Sequence, residues 1–204
     1  MAGTITALKV QKRNKERVNV FIDDQFALAV TVLAALNLRK GQYLSDVDIE
    51  NLRHGDERDK AYNHSVRFLS FRPRSRQEIV RYLRDKGYVG SAIDDTLDRL
   101  IEQQYVDDQA FAQFWLENRE QHRPRGERAL RYELRQKGIA DTVINKVLAD
   151  LDEDELAWRA VENKLHYWKN LTAEALKKKM FGYLTRRGFG YDVARRTYDR
   201  ALEL

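Results

Sequence analysis

The chain has 204 residues, 43% hydrophobic and 34% charged, which is enough apolar material for true cores and excludes disorder throughout. Its 37 Lys and Arg outnumber 32 Asp and Glu, a surplus of +5 that permits nucleic-acid contact without demanding it. The absence of cysteine excludes disulfides and thiolate metal sites, and neither a signal sequence nor an apolar run near the ~18 residues of a membrane span occurs, so a soluble cytoplasmic protein is expected.

The first 30 residues read as strands. Val18, Val20 and Ile22 alternate with polar or outward positions, and Phe26, Leu28 and Val30 alternate after a turn at Asp23-Asp24. With the run at 5–10, joined through a turn at 13–16, they predict a small three-stranded meander. Such a sheet needs a cover, expected from a short helix over 31–36, ended by Gly41, and a second short helix starting at Ser45.

From residue 56 onward strand signals vanish and helical periodicity runs to the end. The two prolines, Pro73 and Pro124, mark equivalent breaks. "RPRSRQEIVRYLRDKGY" at 72–88 returns as "RPRGERALRYELRQKGI" at 123–139, which aligns Ile79 with Leu130, Leu83 with Leu134, Gly87 with Gly138, Ile93 with Ile144 and Leu97 with Leu148. A further shift puts Met180, Leu184 and Gly188 on the same positions, so a third, more divergent copy lies within 171–202.

Each copy predicts three helices. The first carries Tyr62, Val66 and Leu69, then Phe111 and Trp115, then Ala157, Val161 and Leu165. The middle helix opens in the first copy on a capping box from Ser75 to Glu78 and closes at Lys86-Gly87, Lys137-Gly138 or Arg187-Gly188, where glycine takes the left-handed conformation and a cation suits the negative helix end. The last helix starts near Ser91, Asp141 or Asp192. The expected architecture is mostly α: three tandem three-helix repeats, helix-turn-helix-like, at 56–104, 105–151 and 152–204, preceded by a β-meander with short helices at 1–55.

Two groups of cations stand out as candidate contacts. Arg72, Arg74 and Arg76, and again Arg123, Arg125 and Arg128, occupy the junctions before the middle helices, where arginine at a helix N-terminus suits phosphate or acidic partners; solvation of a turn is the plainer alternative. Lys177, Lys178 and Lys179 with Arg186 and Arg187 form the densest basic patch, readable as a DNA-backbone contact or as a solvated helix face. They belong to a basic stretch over 164–200, which an acidic seam over 141–155 precedes.

Trp115, Trp158 and Trp168 are expected in cores rather than on ligands. His54, His64, His122 and His166 lack metal-ligand spacing, and no phosphate loop or nucleophile elbow occurs, so neither metal, cofactor nor catalysis is expected.

The junction R-x-R-S-x-x-E-I at 72–79, the block "YVDDQAFA" at 105–112 and the pattern of 125–139 together resemble the RecX regulatory proteins, modulators of the RecA recombinase. The resemblance covers most of 56–203; the first 55 residues resemble the extension of longer members. It implies a monomeric, non-enzymatic tandem of three-helix modules that binds the RecA filament on single-stranded DNA and restrains it, with weak direct DNA contact. It carries the contact role onto Arg72, Arg74, Arg123 and Arg125 and onto the terminal basic cluster. In the third copy, Asn170-Leu171-Thr172 stands where the others have Arg-Pro-Arg, which puts that junction's role in doubt. The rival is a stand-alone helix-turn-helix DNA-binding protein.

Overall fold

The computed structural model describes residues 2–203. Its contacts divide the chain into two units: the chain up to Arg72 with Ile79–Tyr105, and Pro73–Glu78 with the chain from Val106 onward.

In the first unit, β1 (Gly3–Val10), β2 (Arg17–Ile22) and β3 (Gln25–Thr31) form the expected antiparallel meander, with Leu8 opposite Val20 and Val18 opposite Val30. Asp23 and Asp24 both have positive φ, 47° and 64°, as a two-residue type I′ hairpin turn requires. A fourth strand, β4 (Tyr43–Leu44), adds to the free side of β1, giving the order β3-β2-β1-β4. Two residues with no alternation of their own carry no strand signal, so β4 was not expected.

The covering helices differ from expectation. Helix α1 (Val32–Ala35), capped by Thr31, stops well before Gly41. Gly41, at φ +86°, instead turns the chain into β4 and donates its N–H to the Ile5 carbonyl at 2.8 Å. The helix that starts after Ser45 is not short: α2 (Asp46–Leu69) runs 24 residues and passes residues 55 and 56 unbroken. Ser45 and Asp48 form a reciprocal capping box that anchors its start.

Ile5, Val20, Val30, Leu44 and Ile49 are buried together under this helix, each burial contributing roughly 1.5–3 kcal/mol. Further along α2 the buried stripe is Ala61 and Ser65, with Tyr62, Val66 and Leu69 only half-buried. Small residues let α2 lie close to the helix over Ser91–Glu102, and the apolar pattern does not reveal them.

Helix α3 (Arg76–Asp85) opens on Ser75 and buries Ile79 and Leu83; α4 (Ser91–Glu102) buries Ile93, Leu97 and Leu100 and packs on α2. In the second unit α5 (Asp108–His122), α6 (Glu127–Gln136) and α7 (Asp141–Leu148) enclose Phe111, Leu130, Leu134 and Ile144. Helices α8 (Glu153–Trp168), α9 (Ala173–Arg186) and α10 (Tyr191–Leu202) enclose Val161, Met180, Leu184 and Phe189. The positions matched by the repeat are thus the cores: Ile79, Leu130 and Met180, then Leu83, Leu134 and Leu184, are all essentially inaccessible. Trp168 is buried and Trp115 and Trp158 are half-buried, as expected of core aromatics.

Candidate binding surface

The glycines that close the middle helices do more than end them. Gly87, Gly138 and Gly188 have φ of +89°, +77° and +89°. At Gly138 the turn receives the segment 73–78: Ser75 Oγ donates to the Lys137 carbonyl at 2.6 Å, and Lys137 Nζ lies 2.6 Å from Glu78 Oε1. Gln77 lies so close that a Cβ on Gly138 would come within 2.4 Å of its own Cβ.

At Gly188 the turn receives the start of α6. The Gly126 N–H donates to the Arg187 carbonyl at 3.0 Å, and Ala129 takes the place against glycine. In both cases a helix start, with its positive partial charge, meets the carbonyl-rich end of another helix, an electrostatically favourable join.

This joinery consumes several of the expected contact residues. Arg128 donates through Nη2 to the Phe189 carbonyl at 2.9 Å, and Arg187 through Nη1 to the Pro124 carbonyl at 3.1 Å. Arg125 faces Glu133, with Nε 3.6 Å from Oε1; the same carboxylate accepts from Trp115 Nε1 at 2.9 Å and Arg119 Nε at 2.7 Å. Arg72 and Arg74 are half-buried and engaged within the fold.

The remaining candidates are exposed. Arg76, Arg123, Lys177, Lys178, Lys179 and Arg186 have no ion pair among the described residues. The ammonium groups of Lys177 and Lys179 lie over the rings of Phe181 and Trp168, 5.8 and 5.7 Å from the centroids, while both residues stay exposed. Arg123 adjoins Pro124 and Arg186 adjoins Arg187, so both residues flank the junction that the Arg187-to-Pro124 hydrogen bond closes.

The third copy lacks an extended Arg-Pro-Arg segment because Thr172 caps a longer helix there, its Oγ1 accepting from the Ala175 N–H at 3.3 Å. The three lysines therefore project from helix α9 itself rather than from a loop.

The basic stretch and the acidic seam pair with each other. Arg196 Nη2 lies 2.9 Å from Asp154 and Arg200 Nη1 lies 3.2 Å from Glu155, so α10 is neutralised by the start of α8. Several aromatics with no signal in the repeat are exposed, among them Tyr167 and Tyr191, at 77% and 65% exposure. For Tyr167 the helical spacing was a signal, since it falls one position off the buried stripe that ends at Trp168.

Among the described residues no cluster of His, Asp and Glu is placed to hold a metal, and no helix is long and apolar enough to cross a membrane.

Comparison with known proteins accounts for this layout. Residues 3–45 match the model for the regulatory protein RecX N-terminal domain, and 61–100, 107–148 and 152–197 match the first, second and third three-helix domains of RecX. Regulatory protein RecX of Bacillus subtilis is 35% identical over 201 residues, covering 96% of this chain and 76% of that protein. The Listeria monocytogenes protein of the same name is 32% identical over 196 residues, 94% of this chain and 73% of its own.

A crystal structure of regulatory protein RecX superposes with a TM-score of 0.76 at 28% identity, over 98% of this chain and 100% of that one. RecX from Lactobacillus salivarius, at 0.65 and 21% over 73% and 99%, shares the fold. Four successive domain matches in the right order, on a chain whose repeats are joined by the same glycine turn, leave one conclusion: the chain belongs to the RecX family of regulatory proteins.

Proposed function

We propose that this RecX-family chain regulates RecA by binding its filament on single-stranded DNA and restraining the recombinase, ATPase and coprotease activities. The family is one of regulatory proteins, not of enzymes. The observation that carries the reading is the sorting of the cations. Arg128 and Arg187 are spent on joining helices and Arg125 faces Glu133, whereas Arg123, Lys177, Lys178, Lys179 and Arg186 stay exposed and without carboxylate partners among the described residues.

A set of unneutralised cations on a folded tandem suits a polyanionic or acidic partner that itself repeats. The modules taken to act in series run over 56–104, 105–151 and 152–204. Restraint requires tighter binding to one filament state than another, because equal affinity for both shifts nothing.

The stand-alone helix-turn-helix reading is disfavoured by charge. The exposed face of α4, the helix that would enter the groove, presents Asp94, Asp95, Asp98 and Glu102 against Arg99 alone. On α10 the arginines are occupied by Asp154, Glu155 and Asp199. Both faces would meet phosphate with repulsion or with cations already spent.

The test is the DNA-dependent ATPase rate of preformed RecA filaments, titrated with the protein at a salt concentration that abolishes its binding to naked DNA. Suppression at less than one protein per RecA subunit is expected. An unchanged rate with folded protein would overturn the proposal.

A further inference from the structure

Of the three glycine turns that close middle helices, two are filled and one is open. The backbone is the same at all three. Gly87 N–H bonds the Arg84 carbonyl at 2.9 Å and Tyr88 N–H the Leu83 carbonyl at 3.0 Å, matching Gly138 to Arg135 at 2.9 Å and Ile139 to Leu134 at 3.1 Å.

At Gly138 and Gly188, however, a helix start is seated on the turn, whereas a Cβ built on Gly87 meets nothing within 4 Å. Among the described residues no donor reaches the Lys86 carbonyl, the counterpart of the Lys137 and Arg187 carbonyls that accept from Ser75 and Gly126. Lys86 itself is exposed where Lys137 and Arg187 are half-buried. The turn opens into a cleft of about 600 Å³ whose other walls include Phe26, Arg53, Glu57 and Tyr88.

We propose that the Lys86-Gly87 turn is a docking socket for the first turn of a helix on a partner protein, one with Ser or Gly at its N-cap and a carboxylate three positions on. The chemistry is set by the two filled sockets. The turn offers carbonyls at the negative end of α3 and so requires donors, which a helix start supplies through its unpaired N–H groups. A DNA backbone, which offers phosphate acceptors, lacks them. The bare glycine admits a side chain against its Cα, as Gln77 and Ala129 sit against Gly138 and Gly188. Lys86 completes the match by standing where Lys137 meets Glu78. This inference does not depend on the partner being RecA.

The experiment uses the full-length chain labelled with nitrogen-15 and, as probe, a synthetic peptide with the sequence of residues 73–86, held helical by a side-chain staple. Saturable shifts of the Lys86, Gly87 and Tyr88 amides are expected in the micromolar to millimolar range. They should weaken several-fold when the peptide's counterpart of Glu78 is replaced by Gln. Gly87→Asn should abolish them, since asparagine tolerates the left-handed turn but fills the socket; circular dichroism checks that this variant is folded.

If it is not folded, Lys86→Glu replaces it and should weaken binding in the same way. The absence of shifts up to millimolar peptide, shifts confined to the Gly138 turn, or shifts unaffected by these variants would overturn the proposal. None of these outcomes bears on the ATPase test, so the two proposals fail separately.

Discussion

Lys137 and Glu78 meet at 2.6 Å across 59 residues of chain, with side chains only 25% and 11% exposed. The pair closes a join that Ser75 begins, because the same hydroxyl accepts from the Glu78 N–H at 3.2 Å and donates to the Lys137 carbonyl at 2.6 Å. One hydroxyl thus satisfies a backbone N–H at one helix start and a backbone carbonyl at another helix end.

Ser75→Ala is therefore expected to destabilise the protein by about 1–3 kcal/mol, combining a lost N-cap with an orphaned carbonyl. Urea unfolding followed by circular dichroism measures it. A double-mutant cycle on Glu78 and Lys137 should give a coupling of about 0.5–3 kcal/mol, and a coupling of zero would show that the pair is incidental.

Glycine substitutions should differ in sign. Gly188→Ala combines positive φ with a Cβ 2.6 Å from the Ala129 backbone nitrogen, and is expected to cost more than ~1 kcal/mol. Gly55→Ala lies inside α2 with nothing within 4 Å, and should stabilise by about 0.4–1 kcal/mol. Thermal melts of the two variants against the parent decide both.

Much of this was legible in the sequence because local rules wrote it. Capping at Ser75, the closing glycines and the buried Ile79, Leu130 and Met180 stripe all follow from spacing alone. The length of α2 was not legible: the switch from strand to helical periodicity at residue 56 reads as a boundary, yet the helix runs through it, and the cost of about 1 kcal/mol for the glycine at 55 is small beside the packing of 24 residues. The site was half legible. Arg123 and Arg128 look alike as arginines of one junction, but the acceptor of Arg128 is a backbone carbonyl 61 residues away, and no side-chain pattern announces a carbonyl.

That difference yields a direct comparison. Arg128→Ala should lower stability by about 1–3 kcal/mol, because the Phe189 carbonyl loses its charged donor. Arg123→Ala, exposed and without an ion pair among the described residues, should stay within about 0.5 kcal/mol of the parent while weakening filament binding. Equal stability losses would contradict the sorting of cations.

Replacing Lys177, Lys178 and Lys179 together with Ala tests what the exposed lysines touch. If they lie on single-stranded DNA, the slope of log affinity against log salt should fall by up to about 2, at about 0.7 per phosphate contact. An unchanged slope on filaments with reduced affinity would place them on protein instead.

Acid should act unequally on the two units. Burial pushes the Asp56 carboxyl up, but hydrogen bonds and charge from Arg17 and Lys60 outweigh it and hold the group below the usual 3.8. Its contribution is therefore present above the unfolded value and lost as pH falls through the folded one. Asp108 runs the other way: burial raises its carboxyl, only partly opposed by the Arg76 N–H, so its contribution is present at low pH and lost as pH rises through the folded value. Urea midpoints between pH 3 and 6 should fall with acid in the parent and fall less steeply in Asp56→Asn.

The glycine-turn joins also impose an order of events during synthesis. Ser75 leaves the ribosome 62 residues before the Lys137 carbonyl it serves. At roughly 5–20 residues per second this leaves the start of α3 without its seat for about 3–12 s. The wait for the second join is similar, since Gly126 bonds the Arg187 carbonyl, 61 residues further along. A nascent chain of this protein therefore passes through stages in which an unseated helix start is available to any carbonyl-rich helix end nearby, and the second of those stages closes only once Arg187 has emerged.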